Sequence, residues 1–145
     1  MRVWRPHWEA RFTHRHGSVP ADWAVPVLTD RGLYARWLFQ HLVTQGWHLC
    51  LRRNLGGNVR PTGAATFRPL ATVAPHVGSA WCGQVTCFSS QESQLACTLL
   101  ARWDAGYAEP WLMVTDLAPD VAEAAWEGRR SWIESGFKDM KRGGW

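Results

Sequence analysis

No stretch of this chain approaches the ~20 consecutive apolar residues that cross a bilayer. The start, Met1 to Phe12, mixes Arg, His and Glu with its aromatics and carries no apolar core of a secretory leader. A cytoplasmic setting and no membrane partner are therefore expected. Cysteine is sparse: Cys50, Cys82, Cys87 and Cys97 are the whole set. In such a setting they are expected as reduced thiols on strands, because Cys82 and Cys87 are too widely spaced for a zinc knuckle and a fourth ligand is missing. Gly56-Gly57 lacks the Lys-Ser/Thr of a phosphate loop, which excludes that form of nucleotide hydrolysis. No Gly-x-Ser-x-Gly and no Cys-His nucleophile pair occurs. Internal repeats and low-complexity tracts are also missing.

What is present reads as one domain. The 145 residues are 46% hydrophobic and 19% charged, a globular balance that excludes disorder. The net charge of +4 favours an anionic partner. Eleven tryptophans are many for this length and are read mainly as core.

The chain alternates between two textures. Trp4, Trp8 and Phe12 recur at helical spacing, and Gly17 closes that helix. Trp23 to Leu28 is a short apolar strand, and Pro26 assigns it to a sheet edge. Leu33 to Gln45 is a helix with Leu33, Trp37, Leu38, His41 and Leu42 on one face and Gly46 as its stop. Trp47 to Leu51 is a buried strand. From Arg53 to Pro110, Gly, Pro, Thr and Ser separate short alternating runs, which predicts antiparallel β structure. Trp111 to Thr115 is again a buried strand. A last helix follows to about Arg142, with Asp116 or Asp120 as its cap and Pro119 in its first turn. His14-x-His16 reads as an exposed helix end rather than a metal pair.

Two motifs carry chemistry. Asp30-Arg31-Gly32 ends the apolar run from Trp23. In the last helix, Glu127, Arg130, Glu134, Phe137 and Lys141 fall in one stripe, with Arg129 and Lys138 nearby. One acid at a strand end, and one acid among cations on a helix, suit metal-dependent phosphoryl transfer on a nucleic acid. Taken singly, Asp30 is good turn chemistry, and Glu134 could be a solvated acid paired with Arg130 and Lys138.

Arg130, Glu134 and Lys141, with three and then six residues between them, resemble the Tyr-Arg-Glu-Lys signature of bacterial insertion-sequence DDE transposases, in the branch named after insertion sequence four. Asp30-Arg31-Gly32-Leu33 resembles the second-aspartate motif of that family, and Trp47 to Arg53 and Trp111 to Leu117 are similar to it as well. The resemblance implies an α/β fold: a partial RNase H-like core in residues 1–52 and 111–145, with a β-rich insertion over 53–110. It implies that Asp30 and Glu134 are catalytic acids that ligate Mg²⁺ or Mn²⁺. Arg130 and Lys141, helped by Arg129 and Lys138, would hold the phosphates of DNA at transposon ends.

Two departures accompany it. Glu127 stands where the family has Tyr. The first catalytic aspartate and its strand meander have no counterpart, since no Asp precedes Asp22. The expectation is a truncated, catalytically inactive transposase fragment; the alternatives are a non-catalytic DNA-binding remnant and a non-functional product. Self-association, or association with a full-length transposase, is expected from the strand that would lack its neighbour.

Overall fold

The computed structural model describes residues 5–22, 26–29, 35–90 and 94–126. They form a mixed seven-stranded sheet with helices on both faces. The order along the chain is α1 (Arg5–His16), β1 (Pro26–Thr29), α2 (Arg36–Thr44) and β2 (His48–Arg52). Then come β3 (Asn58–Pro61), β4 (Arg68–Pro69), β5 (Ala80–Cys87), β6 (Leu95–Arg102) and β7 (Trp111–Thr115). A final helix occupies 119–126. Across the sheet the order is β1-β2-β7-β6-β5-β3-β4.

β1 and β2 are parallel, with Pro26 opposite His48 and Thr29 opposite Leu51. A parallel pair needs a crossover, and α2 supplies it. Leu38, Phe39 and Leu42 are the buried side of α2, a three-and-four spacing that matches one helical face. The helix stops where Gly46 takes φ +74°. Its N–H then reaches Val43 O at 2.9 Å, and Trp47 N–H reaches Leu42 O at 3.1 Å. A residue with a Cβ is strained in that conformation, so glycine is the natural stop.

β1 lies at the sheet edge. Pro26 has no N–H to donate, and an edge is where a strand tolerates that. The β texture between Arg53 and Pro110 corresponds to β3, β4, β5 and β6, all antiparallel to their neighbours. This segment leaves after β2 and returns as β7, which pairs directly with β2: Cys50 faces Thr115 and Arg52 faces Met113. Arg53 N–H extends the ladder to Leu112 O at 2.8 Å. β3–β6 therefore continue the same sheet outward from β7.

The two faces bury different clusters. One joins Leu49, Leu51, Leu99, Leu112 and Val114 to Leu38 and Leu42 of α2. The other joins Leu100, Trp111 and Met113 to Trp126 of the last helix, with Leu28 and Cys50 against it. Strand residues alternate between these faces with period two. β7 is buried along its whole length, because it lies between β2 and β6 and under helices on both sides. α1 is an outer layer without a buried residue. Its Trp8 stacks on Phe12 at 5.8 Å, Phe12 lies 6.4 Å from His41 of α2, and His16 lies 5.7 Å from Trp47. The described tryptophans are all buried or half-buried.

Leu99 is fully buried at the centre of the larger cluster. Leu99→Ala should cost about 2–5 kcal/mol, the usual range for a leucine cavity, read as a lower urea midpoint at unchanged slope. β1 has β2 on one side and no strand on the other among the described residues, and such an edge invites pairing between chains. Sedimentation velocity should show concentration-dependent association; a single monomeric species throughout the micromolar range contradicts this.

Candidate functional site

One end of the sheet gathers the features that bear on function. Parallel pairing brings the last residue of β1, Thr29, level with Leu51, one residue before Arg52. Antiparallel pairing brings the start of β7 to the same end, with Arg52 opposite Met113 and Arg102 opposite Trp111. Trp126, in the last described turn of the final helix, packs on Trp111 at 5.9 Å between ring centroids. Thr29, the last residue of β1, and Trp126, the last described residue of the final helix, thus lie toward one end of one sheet. Thr29 Oγ1 is buried there without a hydrogen-bond partner among the described residues.

The cations at this end are built into the sheet. The Arg52 guanidinium lies over the Trp111 ring, 3.9 Å from its centroid, a cation–π contact strengthened by exclusion of water. Arg53 is equally buried, and its Nη1 donates to Cys87 Sγ at 3.5 Å. Arg102 Nε pairs with Asp104 at 3.2 Å. This burial keeps the Arg52 and Arg53 side chains out of any basic surface; they serve the interior.

The sequence-assigned site residues Asp30, Arg129, Arg130, Glu134, Lys138 and Lys141 lie outside the described residues. Among the described residues no group of three or more His, Cys, Asp or Glu could hold a metal ion. Asp30 and Glu134 alone are an incomplete donor set for a two-metal site.

The expected role of Asp116 is corrected. The last helix begins at Pro119, and Ala118 O accepts its first bond, from Ala122 N–H at 2.8 Å. Asp116 turns instead to the start of β2. Its Oδ2 meets His48 Nδ1 at 2.8 Å and its Oδ1 accepts Leu49 N–H at 2.9 Å. One carboxylate thus clamps the end of β7 to the start of β2. Sequence reading missed this pair because 68 residues separate its members and no local spacing announces it.

Cys82 and Cys87 sit on opposite faces, in the smaller and larger clusters respectively, so they share no site. Burial, and then the Glu123 carboxylate, push the Cys82 thiol above its ordinary range. Cys82 Sγ also donates to Pro119 O at 3.4 Å, which places the start of the last helix over β5. His14 and His16 are exposed, as expected of a helix end. No helix among the described residues is long and apolar enough to cross a membrane. No family model, curated protein or solved structure matches the chain.

Asp116→Ala should destabilise the fold by about 1–3 kcal/mol, because Leu49 N–H then loses its acceptor. Asp116→Asn keeps an acceptor oxygen and should lose less, a ranking that paired denaturation curves check directly.

Proposed function

We propose that these residues belong to the catalytic core of a DDE-type transposase with an RNase H-like arrangement, and that its part in the reaction is to hold DNA. In this reading Asp30 and Glu134 are two of the metal-ligating acids. Arg130 and Lys141, supported by Arg129 and Lys138, grip DNA phosphates at transposon ends. The observation that carries the reading is the convergence at one sheet end. Thr29, the residue before Asp30, lies there, and Trp126, eight positions before Glu134, packs on Trp111 there. The residues from β3 to β6 are spliced between two paired strands, β2 and β7, without separating those two points. A shared site for residues more than a hundred positions apart needs that topology.

The chemistry follows from charge. Mg²⁺ and Mn²⁺ prefer hard oxygen ligands, which carboxylates supply, and such ions would neutralise charge on a phosphodiester. Arginine adds a fork of donors matched to phosphate, and lysine a point charge. With only two acids assigned in these 145 residues, the polypeptide is a DNA holder rather than a nuclease.

The polypeptide should bind duplex DNA with little sequence preference. Affinity should fall with log salt at a slope of roughly −0.9 per phosphate neutralised. Replacing Arg130 and Lys141 together should flatten that slope by about two units. Supercoiled plasmid should stay intact with Mg²⁺ or Mn²⁺. Nicking that disappears in both Asp30→Ala and Glu134→Ala would show an active nuclease, and salt-insensitive or absent DNA binding would remove the reading.

A further inference from the structure

Cys87 on β5 and Cys97 on β6 hold their sulfurs 3.4 Å apart in the larger buried cluster. The register sets Cys97 opposite Val85 and Cys87 opposite Leu95, so the two are diagonal neighbours on one face. Their roles differ. The Cys97 thiol donates its hydrogen to Cys87 Sγ. From another side Arg53 Nη1 donates to the same sulfur at 3.5 Å. Two donors, one of them cationic, converge on Cys87 Sγ. At Cys97, the hydrogen bond to Cys87, and then burial, hold the thiol protonated far above the ordinary range. One sulfur accepts from two donors, and its neighbour keeps a proton to give. Cys87 is fully buried and Cys97 is 8% exposed, so a small neutral oxidant is favoured over a bulky disulfide.

We propose that Cys87 and Cys97 form a dithiol redox site, which hydrogen peroxide converts to a cross-strand disulfide. The Cys87 thiolate attacks one peroxide oxygen and the O–O bond breaks. The leaving hydroxide takes up the proton that Cys87 released, giving one water and a sulfenic acid on Cys87. The Cys97 sulfur then attacks the Cys87 sulfur. The S–O bond breaks, and the departing hydroxyl takes the Cys97 proton as a second water. Two thiols and one peroxide become one disulfide and two waters; the sulfurs lose two electrons and the peroxide gains them.

Chain connectivity alone points elsewhere. Cys82 and Cys87 are five positions apart and Cys87 and Cys97 ten, so loop-closure entropy favours the Cys82–Cys87 pair. The strand alternation that puts Cys82 on the other face forbids it. Peroxide treatment of the folded chain, followed by alkylation and peptide mapping, distinguishes the two. The expected product is one cross-link, Cys87–Cys97, with the mass of two hydrogens lost and with Cys50 and Cys82 still alkylated. The same treatment in urea should give a mixture in which Cys82–Cys87 is prominent. In Cys97→Ser, dimedone added together with denaturant after the peroxide should trap the sulfenic acid on Cys87. Arg53→Gln, which removes the cation that donates to Cys87 Sγ, should slow oxidation. The proposal is overturned if Cys87 and Cys97 of the peroxide-treated folded chain are both alkylated after denaturation. It is equally overturned if folded and urea-treated chains give the same mixture, or if dimedone labels Cys50 and spares Cys87.

Discussion

The pairing of β2 with β7 is the contact on which the rest of the sheet depends. It joins two strands separated by nearly sixty residues, and every other strand is placed relative to it: β1 outward from β2, and β6, β5, β3 and β4 outward from β7. Closing so long a loop costs entropy that local contacts do not repay. Two features offset it. β7 is buried on both faces, which gives its five residues a full hydrophobic return. The Asp116 carboxylate accepts Leu49 N–H and meets His48, tying the strand ends together with charge-assisted bonds.

That closure also governs the proposed site. Because β2 and β7 are neighbours, Thr29 at the end of β1 and Trp126 of the last helix lie toward one end of the sheet. The buried cations there illustrate how tertiary context reassigns a residue type. Arg52 stacks on Trp111 and Arg53 serves Cys87 and Gly56 O, so two adjacent arginines are internal structure. Gly57 completes this local fit. At φ +93° it takes a backbone conformation that other residues avoid, and a Cβ there would stand 2.7 Å from Arg53 Nη2.

The sulfur chemistry rests on the same sheet geometry. A period-two strand separates Cys82 from Cys87 while the β5–β6 register unites Cys87 with Cys97. The distance between sulfurs is a tertiary quantity, and so is the presence of Arg53, which arrives from the far side of a different strand pairing. No spacing rule for cysteines encodes either.

Local periodicity determined the element order. Trp8 and Phe12 mark α1, Leu38 and Leu42 mark α2 with Gly46 as its stop, Pro26 marks an edge strand, and Pro119 marks the start of the last helix. These signals are legible because a 3.6- or 2-residue repeat and the backbone limits of Gly and Pro act over a few bonds. Tertiary structure decided what spacing does not contain: that β3–β6 extend the same sheet, that Asp116 holds β2 instead of capping a helix, that Arg52 and Arg53 face inward, and that Cys87 meets Cys97. Each of those depends on which strand lies beside which, and strand neighbours are chosen by burial and register summed over the whole sheet.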